Sequence, residues 1–270
     1  MTITTVEQAI IGVKPIEYFH NAVSGTLVAG RPFCPLITAG VPGPAIAPTP
    51  GMSGATLGRT LSGALAFPTT QAGQSIHLAN FIASTSANTG VLMLVDFLWW
   101  NSGISLTSTA EQTINSVTFP ARDENESING DAVYVGLLIS TGTGTGTPTL
   151  TLGYTNQAGT AGRTANTIQA TAASSALGTF YQFALQAGDT GVRSIQTYQQ
   201  SATWTSGVVH LVAYRILATL DIVSSGQPEA LNMLTGGLTR AWNDTCPVLI
   251  YIPGGTTTTS IYGALTWTQA

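Results

Sequence analysis

Of the chain's 270 residues only 7% are charged, 44% are hydrophobic, and the formal net charge is −4. Soluble chains ordinarily carry about 25% charged residues, yet an apolar fraction this high excludes a disordered polar tail. Lys14 is the only lysine and the arginines are scattered singly, which excludes the basic footprint that nucleic-acid binding needs.

In chain order, Val6 to Val13 fits a short helix ended before Pro15. An irregular stretch follows with Pro32, Pro35, Pro42, Pro44, Pro48 and Pro50, a density that excludes helix interior and central strand. Phe19, Phe33, Leu36 and Ile37 are apolar enough to be buried somewhere. Residues 1–50 therefore read as an extended Pro-rich N-terminal arm, docked on its own body or across a subunit boundary. Residues 51–270 read as the body. Gly51 to Thr70 is ambiguous between loop and edge strand. Ser75 to Ala83 and Leu92 to Trp100 alternate as strands, the second with Leu92, Leu94, Asp96 and Leu98 on one face. Ile104 to Thr118 suggests another strand or two.

The segment that organises the body is Ala132 to Thr155. Val133, Val135, Leu137 and Ile139 share one face of a strand, as do Leu150, Leu152 and Tyr154 of the next. The linker TGTGTGTP suits a turn, so the spacing predicts a long antiparallel hairpin. Strands are then expected at Thr164 to Ala172, Thr179 to Leu185, Val192 to Gln199, Gly207 to Leu217, Val248 to Ile252 and Ser260 to Trp267. Pro228 to Leu234 carries helix-start signals, with proline and glutamate in the first turn and Gly236 as the stop. Ten to twelve strands at turn spacings of about 8–15 residues point to an all-β, antiparallel, jelly-roll-like β-sandwich.

Chemistry-bearing motifs are sparse. The acidic loop Asp123 to Asp131 departs from the calcium-loop pattern, because Ile128 stands where glycine belongs. His20, His77 and His210 share no ligand spacing, and His210 reads as a core or interface histidine. No nucleophile elbow, phosphate-binding loop or zinc spacing is present. No catalytic residue, cofactor or metal site is assigned, and the expectation is a protein that is not an enzyme. Cys34 and Cys246 are expected to be free thiols. The longest apolar run, Gly90 to Trp100, is interrupted by Asp96 and is too short to span a bilayer. Trp204 and Trp242, near turns, are the candidate surface aromatics for a sugar contact.

Three segments resemble structural proteins encoded in tailed-bacteriophage virion gene clusters. They are LWWNSGISLTSTAEQTINSVTFPARDENESINGD (Leu98 to Asp131), PTLTLGYTNQAGTAGRT (Pro148 to Thr164) and LQAGDTGVRSIQTYQQSATWTSGVVHLVAYR (Leu185 to Arg215). The resemblance covers the central part of the chain and carries no catalytic motif. It implies a virion component assembled in the host cytoplasm, most simply a capsid decoration or cement subunit. Its partners would be copies of itself, with a trimer preferred, and the major capsid protein or other virion proteins. Neutral surface points the same way, since little repulsion keeps such subunits apart. The alternatives are a carbohydrate-binding module of a tail or fibre, or another virion part (neck, tail or shell-forming subunit).

Overall fold

A computed structural model describes residues 3, 5–23, 26–237 and 239–270. Helix α1 (Val6–Ile11) is followed by strands β1 (Glu17–Val23), β2 (Gly40–Val41), β3 (Ala55–Thr56), β4 (Ile76–Thr85), β5 (Gly90–Trp100) and β6 (Gln112–Thr113). Then come β7 (Val133–Thr141), β8 (Leu150–Asn156), β9 (Arg163–Thr167), β10 (Phe180–Ala184) and β11 (Val192–Gln200). The chain finishes with β12 (Val208–Ile222), β13 (Glu229–Asn232), β14 (Arg240–Ala241), β15 (Pro247–Pro253) and β16 (Thr259–Gln269). Among the described residues these make two antiparallel sheets. The six-stranded one runs β13-β4-β16-β1-β2, with β14 also on β4. The ten-stranded one runs β15-β5-β12-β7-β10-β9-β8-β11-β6, with β3 on β5. The fold is all-β, a curled jelly-roll-like sandwich.

The ten-stranded sheet folds over on itself. Val133, Val135, Leu137 and Ile139 of β7 meet Leu150, Leu152 and Tyr154 of β8 in one core. They meet across that core and not side by side, because β10 and β9 lie between β7 and β8 in the sheet. The expected hairpin is therefore absent: β7 pairs with β12 and β10, while β8 pairs with β9 and β11. The linker has a different task. Gly144 N–H donates to the Ser206 carbonyl at 3.0 Å, and Thr145 and Thr205 exchange bonds of 3.0 and 3.1 Å. The linker thus closes over the turn that carries Trp204.

Strands β5 and β12 run through both halves of the molecule. Leu98 and Trp99 of β5 and Val209, Leu211 and Ala213 of β12 enter the folded-over core. Leu92 and Leu94, with Leu217, Leu220 and Ile222, pack instead under the six-stranded sheet against Phe19, Phe81, Leu265 and Trp267. The inward β12 residues pass from odd positions (Val209, Leu211, Ala213) to even ones (Ala218, Leu220, Ile222) while keeping to one face, because the β5–β12 register slips between Ile216 and Ala218. Gly263 has no side chain because a Cβ there would lie 2.7 Å from the Phe19 ring and closer still to the Ile82 carbonyl.

One sequence expectation narrows and two change. The Pro-rich arm takes the first of its two dockings: Phe19 is fully buried in β1, which lies between β16 and β2. Phe33 bridges Tyr251 and Thr179, Leu36 is buried and Ile37 packs half-buried on its own body. Pro228 to Leu234 is not a helix, since Glu229–Asn232 pairs along β4 from Ala83 to Asn80 and a ladder partner outweighs local propensity. Between Ile104 and Thr118 only Gln112–Thr113 is strand.

One polar cluster fastens the folded-over half. Asp189, in the turn before β11, takes both Arg163 Nε (2.9 Å) and Nη2 (3.0 Å), Tyr154 Oη (2.5 Å) and Asn156 Nδ2 (2.7 Å). The bonded Arg163 guanidinium, with Tyr154 and Asn156, holds the Asp189 carboxyl down at about 2, against about 3.9 for an unperturbed aspartate. The resulting stabilisation is complete above about pH 4 and is lost as pH falls through about 2. We expect Asp189→Asn to be less stable than the wild type at pH 6 and to flatten the stability profile between these limits. Urea midpoints measured across the range check this, and an unchanged slope in the variant would count against it.

Candidate assembly interface

Several apolar side chains are left uncovered on and beside the outer face of the six-stranded sheet. Thr5 caps α1 by accepting the Gln8 N–H at 3.2 Å, and Gly12 ends the helix by donating to the Gln8 carbonyl at 3.1 Å. Ala9 is buried, its carbonyl taking a bond from Thr268 Oγ1, and Gln269 N–H and Lys14 N–H complete the attachment to β16. Ala9 points inward, while Val6, Ile10 and Ile11 are 63%, 61% and 76% exposed. Leu234, in the turn after β13, is 84% exposed.

Two apolar depressions lie on this face, and a more polar one of about 310 Å³, walled by Gln8, Ile11, Lys14, Gln71 and Gln74, lies beside α1. The first of the apolar pair, about 440 Å³, lies between α1, β4, β16 and the turn after β13, walled by Val6, Ile10, Val13, Met233 and Leu234. The second, about 210 Å³, is walled by Tyr18, Ile82, Pro228, Tyr262 and Ala264. Neither of these two is lined by an acidic or basic side chain. Contiguous apolar surface of this kind marks interaction sites in soluble proteins, whereas isolated exposed hydrophobics do not.

Elsewhere several charged groups are engaged within the fold. Asp96, fully buried between Leu94 and Leu98, meets Arg122 Nε at 3.1 Å and accepts the Cys246 N–H at 2.8 Å. Arg122 also donates to the carbonyls of Leu57 (2.8 Å) and Phe97 (3.0 Å). The acidic loop is built around Asp123, whose carboxylate accepts N–H bonds from Asn125, Ser127, Gly130 and Asp131 and the Ser127 hydroxyl. Burial alone would raise the Asp123 carboxyl, but these bonds outweigh it and hold it below the usual range. Among the described residues no group of three or more His, Cys, Asp or Glu side chains is placed to hold a metal ion.

His210 is fully buried, its Nδ1 2.8 Å from the Asn101 carbonyl and its Nε2 2.7 Å from Ser140 Oγ. Burial lowers its pKa, so the imidazole is neutral; Nδ1–H donates to the carbonyl and Nε2 accepts from the serine. Cys34 and Cys246 are buried free thiols, the former pushed up to about 12 by burial. Among the described residues no helix is long and apolar enough to cross a membrane.

Trp204 and Trp242 do not form a sugar-binding surface. Trp204 is fully buried, stacked on Tyr181 at 6.5 Å, with its Nε1 donating to the Ala172 carbonyl at 3.2 Å. Trp242 is 8% exposed, its ring covered by Arg240 at 4.2 Å and its Nε1 bonded to the Asp123 carbonyl. Both stand near turns, but those turns fold inward over them. The uncovered residues Ile10 and Leu234 are the ones sequence reading missed. Apolar Val6, Ala9, Ile10 and Ile11 spread round more than one side of so short a helix were the available signal.

No family model matches this chain, and no curated protein matches it. Among solved structures it is similar to one titled as the structure of the infectious bursal disease virus Gt strain. That match has 8% identity, covers 95% of this chain and 82% of that one, and has a TM-score of 0.19. A crystal structure of the infectious bursal disease virus VP2 subviral particle also aligns, at 8% identity over 95% and 81% of the two chains with a TM-score of 0.17. Superpositions this loose leave function to the residues themselves.

Proposed function

We propose that this chain is a structural subunit of a virus particle, acting as a capsid decoration or cement protein through the uncovered face of its six-stranded sheet. The observation that carries the reading is that face: apolar, free of charge in both depressions, and set on a chain whose carboxylates Asp96, Asp123 and Asp189 are engaged internally. The segments that resemble tailed-phage virion proteins support the same reading. Removing apolar area from water contributes about 25 cal/mol per Å², and a shell repeats that contribution at every copy. A subunit working this way needs a stable fold and a complementary neighbour.

Purified particles provide the test. Leu234→Asp places a charge on the exposed face without touching either core. It is expected to reduce occupancy on the particle at least tenfold while leaving the melting temperature within about 2 °C of wild type, as surface changes do. Quantitative mass spectrometry of the particles gives the copy number. Hundreds of copies that vanish with Leu234→Asp support a decoration subunit. Six or twelve copies move it to the neck or tail, and unaltered occupancy removes this face from the mechanism.

A further inference from the structure

The structure assigns Asn129–Gly130 as a gated deamidation site, held inert in the closed acidic loop by Asp123 and released when that loop opens. This goes beyond the assembly reading and does not rest on it. The sequence holds one Asn-Gly pair, and it is this one. Such pairs cyclise faster than other asparagine dipeptides, because glycine puts no side chain in the path of its own nitrogen. The fold demands the glycine: Gly130 has φ +85°, and a Cβ there would run into the Val192 carbonyl. Asn129 is exposed, and its main-chain N–H is donated to Ser127 Oγ at 3.1 Å.

The nucleophile is the Gly130 main-chain nitrogen. It loses its proton to solvent base and attacks Asn129 Cγ; the new C–N bond forms, the Cγ–Nδ2 bond breaks, and Nδ2 leaves as ammonia. Water then opens the succinimide at either carbonyl, giving aspartate or isoaspartate, so one water enters and one ammonia departs. In the closed loop the Gly130 N–H is donated to Asp123 Oδ2 at 3.0 Å, and the Asp131 N–H to the same oxygen at 3.2 Å. The first bond fixes the peptide plane. The carboxylate also opposes loss of the proton beside it, as a neighbouring negative charge does for any acid. Opening the loop removes both restraints. The product then closes less well. Isoaspartate lengthens the main chain ahead of the Asp131–Gly191 bridge, and either product adds a carboxylate to a loop that already holds Asp123, Glu124, Glu126 and Asp131. The change is one-way.

Peptide mapping by mass spectrometry tests the gate on the full chain, incubated at pH 8 in buffer and in guanidinium chloride. The folded wild type is expected to deamidate at Asn129 at least about tenfold more slowly than the unfolded chain, the scale of one hydrogen bond to a charged group. Asp123→Asn keeps the side chain's size, removes its charge, and is expected to raise the folded-state rate about tenfold. Ser127→Ala takes its place if that variant fails to fold. It removes the hydroxyl bond to Asp123 Oδ2 and is expected to raise the rate about threefold. Equal rates in folded and unfolded wild type overturn the proposal, as does a folded variant no faster than wild type. Neither result touches particle occupancy, so the assembly reading is decided separately.

Discussion

Asp96→Ala is expected to cost about 3–5 kcal/mol of folding free energy, the range for removing one partner of a buried ion pair. Asp96 is fully buried, and Arg122 is 4% exposed with its Nε 3.1 Å from the carboxylate. Deleting the carboxylate takes away that guanidinium's buried counter-charge, leaving its carbonyl bonds and the half-exposed Asp244 at 3.7 Å, and frees the Cys246 N–H as well. Asp96 also lies between Leu94, which packs under the six-stranded sheet, and Leu98, which packs in the folded-over half. The loss should therefore loosen both cores in one transition. Arg122→Met is expected to cost a similar amount, and the double variant distinctly less than the sum, because the two charges are each other's remedy. Urea denaturation of the four proteins measures the cycle. Strict additivity would show that the two side chains act independently.

Trp204→Ala is expected to cost about 3–5 kcal/mol, as for a large aromatic removed from a packed interior. The ring is fully buried on Tyr181, whose hydroxyl lies 2.7 Å from Ser175 Oγ and accepts the Ala172 N–H at 3.1 Å. The cavity would open directly beneath the glycine-threonine linker, so protease cleavage within residues 141–148 should accelerate along with the loss of stability. A melting temperature lowered by on the order of 10 °C is the expected reading for a chain of this size. An unchanged value would return Trp204 to the surface.

Local pattern identified most strands and few of their partners. The alternation of Val133, Val135, Leu137 and Ile139 marks β7 from sequence, because a strand with one buried face repeats every second residue. Nothing local says that β7 lies beside β12, which begins at Val208, so the nearest candidate, β8, looked like the partner. The Pro228-Glu229 pair is a sound helix start in isolation, yet β4 offered an open edge and the segment joined it. The same blindness affects the candidate interface. Phe19, Phe33 and Leu36 looked available to a neighbour because proline surrounds them, but their own body buries them. Ile10 and Leu234 drew no notice, because exposure depends on which face of α1 and of the β13 turn the fold leaves open. Asp96 was visible as an interruption in an apolar strand, but Arg122 as its counter-charge was not, being far along the chain.

Strands β5 and β12 join the two cores as continuous rods, paired from Val212 opposite Trp100 to Ile222 opposite Gly90. Hydrogen bonds between antiparallel strands lie across the strand direction. A pull along these strands therefore loads the ladder in shear, several bonds at a time between its two register slips. A chain pulled at the two ends of this ladder would resist as a tie-bar, failing abruptly instead of peeling open.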